Sequence, residues 1–120
     1  MHNGRLALLI LYFLVINVLF FLPGSALPKA GWLQAVHIDK WVHAGIFALL
    51  GLLVFYNQAW WHRRRGWWLT AAAGYGLAVE CAQHLWVANR EFDVWDWVAD
   101  VAGALLAIFI WKGLQKNRPL

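Results

Sequence analysis

The sequence predicts an all-α polytopic membrane protein, a bundle of four transmembrane helices forming one domain over residues 1–120. Its composition is the first reason, because 62% of the residues are hydrophobic and only 13% are charged, whereas soluble domains average about 25% charged residues. Apolar runs near the length of about 20 residues that crosses a bilayer are the second reason. Polar and glycine-containing breaks separate these runs, which gives spans at about residues 6–22, 40–56, 67–86 and 94–111.

The first span is an apolar run that begins after Arg5 and contains one polar residue, Asn17. Pro23 follows the run and ends any helix. The run is longer than the hydrophobic part of a signal peptide, about 7–15 residues, so an uncleaved helix is expected. Asn17 should then form a hydrogen bond to another helix.

The second span follows a connection and starts near Asp39, which is well placed to be the N-cap. His43 lies one turn further on, on the same helix face as Asp39. The span ends before the aromatic and basic segment 60–68, a pattern typical of helices that enter the head-group region.

Lysine and arginine residues predict the orientation of the chain. If the N-terminus is inside, seven of the ten basic residues lie on the cytoplasmic side: Arg5, Arg63, Arg64, Arg65, Lys112, Lys116 and Arg118. The positive-inside rule therefore predicts two cytoplasmic termini and a multi-pass protein of the inner (cytoplasmic) membrane.

The third span contains a stripe of small residues that leads to two polar ones. Ala72, Gly76, Glu80 and Gln83 recur at helical spacing, and small residues let helices approach closely. Glu80 is therefore expected to point into the bundle. Cys81 is expected to be a small buried packing residue.

The fourth span follows a short polar loop that carries Arg90, and Asp93 is its expected N-cap. Asp96 and Asp100 fall on one helix face with Gly103 and Ala107. Along this face the acidic residues again precede the small ones. This order predicts that the start of the helix is polar and packs closely against a neighbouring helix.

Ionisable residues cost roughly 2.5–3.5 kcal/mol near the centre of a membrane, so a group of them normally faces protein, water or a ligand. In this chain they concentrate toward the predicted outer side, and any site is expected to open outward. The candidate ligand-binding residues are Asp39, Lys40, His43, Glu80, Gln83, Arg90, Asp96 and Asp100. Glu80, Asp96 and His43 are the candidates for acid or base catalysis.

Other chemistries find less support in the sequence. Covalent hydrolysis and nucleotide binding lack their motifs, GxSxG and the P-loop. The acidic residues and histidines could bind a divalent cation, but their spacing matches no metal motif such as HExxH, so no metal or cofactor is assigned. The net charge of +4 does not indicate nucleic-acid binding, because the basic residues lie between apolar runs where they meet membrane lipids.

Over roughly residues 37–107 the chain resembles the VanZ-like membrane protein family. The resemblance consists of Asp39-Lys40 with His43, of Gly76 with Glu80-x-x-Gln83, and of Arg90 followed six residues later by Asp96. The segment from Asp96 to Ala104 is similar to the family's Asp-x-x-Ala-Asn-x-x-Gly-Ala pattern. Two positions depart from the family: Asp100 replaces the usual Asn, and Ala107 replaces a frequent glycine.

The resemblance implies a small membrane protein with the polar residues as its functional centre, and the family's namesake is associated with resistance to the glycopeptide teicoplanin. The leading hypothesis is recognition of an envelope lipid or lipophilic glycopeptide at the outer leaflet, with Arg90 and Lys40 meeting an anionic group. One alternative is a membrane-embedded acid–base or metal-assisted enzyme acting on a lipid-linked envelope substrate. Another is a structural or transporter subunit. The sequence predicts no oligomeric state.

Overall fold

The described part of the chain forms four long helices and one short helix. The structure, a computed structural model, describes residues 2–22, 38–87 and 92–116, and no strand occurs among them. The helices are α1 His2–Phe20, α2 Ile38–Asn57, α3 Trp60–Arg63, α4 Arg65–Trp86 and α5 Val94–Lys116. The predicted all-α class is thus confirmed, and each long helix covers most or all of one predicted span.

Three of the long helices are long and apolar enough to cross a membrane, namely α1 from Asn3, α2 and α5. Helix α4 has 22 residues, which is also long enough, but Arg65, Glu80, Gln83 and His84 make it more polar than the other three. Three membrane-capable helices are therefore found within the described ranges, and a fourth span through α4 remains a prediction.

Helix α2 is at the centre of the packing. It packs most extensively on α5 and also on α1, while α4 packs on α5. Helices α2 and α5 run in the same direction, because His43 near the start of α2 meets Asp100 near the start of α5, and Phe55 near its end contacts the ring of Trp111.

Small residues bring α2 and α5 together, as their spacing predicts. A Cβ added at Gly103 would collide with the backbone of Ala44, lying 2.9 Å from its carbonyl carbon. One added at Gly51 would lie 2.5 Å from Ala107 Cβ. The two backbones therefore approach closely over the length of the contact.

Polar side chains also connect the helices. Tyr75 Oη–H donates to Asn17 Oδ1 at 2.8 Å, which confirms the interhelical bond expected for Asn17. Tyr12 Oη–H donates to the carbonyl of Ile46 at 2.7 Å, and Trp68 Nε1–H donates to that of Ala104 at 3.1 Å. Each bond joins a different pair of long helices.

Two sequence-based expectations are wrong. Asp39 is not the N-cap of α2, because the helix already includes Ile38 and Asp39 lies in its first turn. Its carboxylate still faces the positive end of the helix dipole. Cys81 is exposed rather than buried, since it follows the inward-pointing Glu80 by one residue and projects from another side of α4.

Candidate functional site

Polar side chains from three helices meet at one end of the molecule. They come from the N-terminal turns of α2 and α5 and from the C-terminal half of α4. We call this group the polar cluster, and it consists of Asp39, Lys40, His43, Glu80, Asp93, Asp96 and Asp100. Six of the eight predicted ligand-binding residues belong to it.

Lys40 is the centre of the more exposed part of the cluster. Its ammonium donates to Asp93 Oδ2 at 2.6 Å, to Asp96 Oδ1 at 2.7 Å and also to Asp39. Three carboxylates therefore surround one ammonium. The Lys40 charge is thus already more than compensated within the protein, and its expected role as a receptor for an anionic group stays a prediction.

Asp93 joins the cluster and also starts α5. Its Oδ1 accepts a hydrogen bond from the Trp95 N–H at 3.0 Å, which confirms the predicted N-cap. Partial burial disfavours the charged carboxylate, but the Lys40 ammonium and the Trp95 amide outweigh this effect and hold the pKa of Asp93 below its ordinary value. Its contact with Lys40 was not predicted, although its spacing of three residues from Asp96 places both acids on one side of the chain.

His43 and Asp100 form a buried pair below Lys40. His43 Nδ1–H donates to Asp100 Oδ1 at 2.8 Å, and the Asp100 side chain is 1% exposed. A Cβ at Gly76 would lie 2.7 Å from Asp100 Oδ2, so glycine at this position of α4 makes room for the carboxylate. The other ring nitrogen, His43 Nε2, lies 3.7 Å from Asp96 Oδ2.

Glu80 is the most unusual member of the cluster, being only 1% exposed. Its Oε2 accepts a hydrogen bond from the Asp93 N–H at 3.2 Å. Its Oε1 has no hydrogen-bond partner among the residues that the structure describes. Lys40 does not pair with it, and Arg90, a predicted ligand-binding residue, lies outside the described residues.

Gln83 makes a contact that the sequence did not predict. Its side-chain amide donates to the carbonyl of Phe20 at 2.5 Å, so it ties the C-terminal end of α1 to α4. Its expected role as a ligand-binding residue stays a prediction. Gln83 thus fixes α4 against α1 next to the polar cluster. His84, the following residue, is exposed, as expected of a residue at the membrane interface.

Among the residues with described positions, two sets of three side chains have oxygen or nitrogen atoms close enough together to hold a metal ion. One consists of Asp39, Asp93 and Asp96, where the ammonium of Lys40 already occupies the position of a cation. The other, which we call the His43 trio, consists of His43, Glu80 and Asp96, with ligand atoms within 4.8 Å of one another. Chemically, the cluster can bind cations and hydrogen-bond donors and can exchange protons.

A groove of about 810 Å³ lies at the other end of the molecule. It separates the first half of α1 from α2 and α4, and its walls are mostly apolar, with Arg5 and Asn57 at its polar end. Within the bilayer such a groove is filled by lipid chains or by protein. It contributes no residue to the polar cluster.

The comparison with protein families agrees with the resemblance in the sequence. The family model described as VanZ/LLP1 matches residues 3–115, which is nearly the whole chain. No curated protein and no solved structure shows significant similarity to the chain. Because the match covers nearly the whole chain, including every residue of the polar cluster, the chain belongs to the VanZ/LLP1 family.

Proposed function

We propose that this VanZ-family protein binds the polar head of an envelope amphiphile, either a lipid or a lipophilic glycopeptide of the teicoplanin type. The polar cluster is the binding site, and it faces the outer leaflet of the cytoplasmic membrane. The positive-inside distribution of lysine and arginine supports this orientation. A head group would enter from the rim at Asp39 and Asp93, which are more exposed than the rest of the cluster.

The observation that carries the proposal is the excess of acceptors in the cluster. Five carboxylates face one lysine and one histidine, and one buried oxygen of Glu80 has no partner among the described residues. A complementary head group supplies N–H or O–H donors, such as an amine, amides or sugar hydroxyls. Glycopeptides and sugar-bearing lipids carry such groups, and their acyl chains suit the apolar helix surfaces beside the cluster.

Ligand retention tests this proposal. The full-length protein is gently extracted from membranes, with or without added teicoplanin, and adduct masses are measured by native mass spectrometry for wild type and Glu80→Gln. We expect an amphiphile adduct in wild type that is reduced at least about tenfold in the variant, because a hydrogen bond to a charged acceptor contributes about 1.5–3 kcal/mol.

His84→Gln is the matched control, since His84 is exposed and lies one turn after Glu80 on α4. It should retain the adduct as wild type does. Equal adducts in wild type and Glu80→Gln would refute binding at the cluster. Loss of folding in Glu80→Gln without any adduct in wild type would favour the structural-subunit alternative.

The pair of His43 and Asp100 favours a second candidate, a membrane-embedded acid–base enzyme. A buried carboxylate orients the imidazole at 2.8 Å, and Glu80 lies close enough to exchange a proton with a substrate bound between them. This candidate requires turnover of a lipid-linked envelope substrate. Incubation with membrane lipid extract should yield a new product with wild type and not with His43→Gln, whereas equal product profiles would exclude it.

A further inference from the structure

The His43 trio contains a buried carboxyl group that has one unpaired oxygen. Glu80 is 1% exposed, and its Oε1 is not hydrogen-bonded to any residue within the described ranges. Asp96 adds a second carboxylate, one of whose oxygens is bonded to Lys40. Buried carboxylates are normally paired or bound to a cation, because removing an ion from water costs several kcal/mol.

The geometry of the trio fits a small cation. A ring nitrogen of His43 and carboxylate oxygens of Glu80 and Asp96 lie within 4.8 Å of one another. Around a tetrahedral zinc ion with bond lengths of about 2.0–2.2 Å, neighbouring ligand atoms are roughly 3.3–3.6 Å apart. His43 Nε2 and Asp96 Oδ2, at 3.7 Å, already have nearly this separation.

Asp100 orients the histidine in the manner of a metal ligand. Because Nδ1 is hydrogen-bonded to Asp100 Oδ1, Nε2 is the ring nitrogen that faces Asp96, and it can bind a metal ion when it carries no proton. Histidines that bind metals almost always donate their second ring N–H to a carboxylate, a carbonyl or water. Gly76 leaves the space that this buried Asp100 carboxylate requires.

From these observations we infer that the His43 trio binds one divalent transition-metal ion, with Zn²⁺ as the best match. Imidazole favours zinc over magnesium or calcium, and three protein ligands leave the fourth position open for water or a ligand. Two carboxylates and a neutral imidazole balance the dication. The inference is independent of the proposed function, because it requires no amphiphile.

Metal titration of the intact protein tests the inference. The full-length protein in lipid nanodiscs is freed of metal with a chelator and titrated with Zn²⁺ alone by calorimetry at pH 7. We expect one saturable site in wild type. Glu80→Gln should weaken binding more than about 100-fold, and Asp100→Asn, which affects only a positioning residue, about 10–100-fold.

Asp39→Asn is the matched control, because Asp39 contacts Lys40 but lies outside the His43 trio. It should bind Zn²⁺ as wild type does. The inference is overturned if wild type shows no saturable site, or if Asp39→Asn weakens binding as much as Glu80→Gln. The latter result would assign the ion to the acids around Lys40.

Thermal unfolding separates metal binding from a purely structural role. Without metal, Glu80→Gln should melt at the same temperature as wild type or higher, because it removes a buried charge while keeping the size of the side chain. Saturating Zn²⁺ should raise the melting temperature of wild type and not of the variant. A variant that melts lower without metal, together with a wild type that Zn²⁺ does not stabilise, would show that Glu80 is only a packing residue.

Retention of an amphiphile with no zinc site would support the proposed function and refute this inference alone.

Discussion

Lys40 shows how one side chain can hold an acidic cluster together. Its ammonium contacts Asp39 in α2, Asp96 in α5 and Asp93, the residue that precedes α5. The lysine side chain is 23% exposed, so these ion pairs are neither fully screened by solvent nor fully buried. The contribution of these ion pairs to the free energy of unfolding should therefore lie between the contributions of surface pairs and of buried pairs.

Lys40→Met should therefore destabilise the protein by about 1–2 kcal/mol, since three neighbouring carboxylates lose their cation. The stability difference between wild type and Lys40→Met should also shrink on acidification. In wild type the lowered pKa of Asp93 adds stability that is present above its ordinary value near 3.8 and is lost as the pH falls through the lower folded value. In Lys40→Met, acidification should instead relieve repulsion between the acids.

Melting curves of nanodisc-embedded protein at pH 6 and at about pH 3, which is below the ordinary Asp93 value near 3.8, would measure both effects. Lys112→Met, which removes an exposed lysine at the other end of α5, is the control and should change neither. A stability difference between Lys40→Met and wild type that does not shrink on acidification would contradict the assigned ion pairs.

Gln83 likewise acts on structure through a single hydrogen bond. Replacing it with leucine leaves the Phe20 carbonyl without its buried donor, which should cost about 1–3 kcal/mol. The exposed Gln58→Leu should stay within about 0.5 kcal/mol of wild type. Chemical denaturation in mild detergent would measure the difference, and equal stabilities of the two variants would show that Gln83 does not anchor α1.

At the scale of elements, the contact between α2 and α5 determines the shape of the cluster. These parallel helices bring their N-termini together, so His43 reaches Asp100 and Lys40 reaches Asp96. Their close approach depends on Gly103, where any side chain would meet the backbone of Ala44. A backbone atom cannot move aside as the end of a flexible side chain can.

Gly103→Ala should therefore destabilise the protein by about 1–3 kcal/mol through overpacking. Gly113→Ala, in the same helix but with no atom within 4 Å of the added Cβ, should instead be neutral or more stable by up to about 1 kcal/mol, because alanine favours helix. Thermal melts of both variants would test this. Similar effects of the two substitutions would contradict the close helix contact.

At the scale of the whole molecule, the membrane topology depends on whether α4 crosses the bilayer. This helix has the length of a span, but its polar residues lower its hydropathy below that of the other long helices. The inward face of α4 carries Glu80 and Gln83, which are both buried. A helix whose polar residues face protein can cross a bilayer at a lower cost than its composition suggests.

Labelling of single cysteines tests the predicted four spans. In a Cys81→Ala background, Arg64→Cys before α4 should be labelled by an impermeant maleimide only from the cytoplasmic side. Phe92→Cys, which lies after α4 and is 43% exposed, should be labelled only from the outside. Labelling of both positions from one side would show that α4 does not cross the membrane.

Much of the site was predictable because helical periodicity assigns each polar residue to a face. The stripe that ends in Glu80 and the one that contains Asp100 both point inward, as predicted. The partners of these residues were not predictable. Spacing along one helix does not say which rotation and depth a neighbouring helix adopts, so the contacts of Lys40 with Asp93 and of Gln83 with Phe20 were missed.

The sequence by itself determined the helical class, the approximate positions of the long helices, the family and the inward position of Glu80 and Asp100, because these depend on local periodicity, composition and motif spacing. The tertiary structure decided which charges meet. The Lys40 ammonium forms ion pairs with three acids, and Asp100 orients His43. One oxygen of Glu80 has no hydrogen-bond partner among the described residues. The physical reason is that ion pairs and coordination geometry depend on distances between helices, which close packing at Gly103 and Gly76 sets.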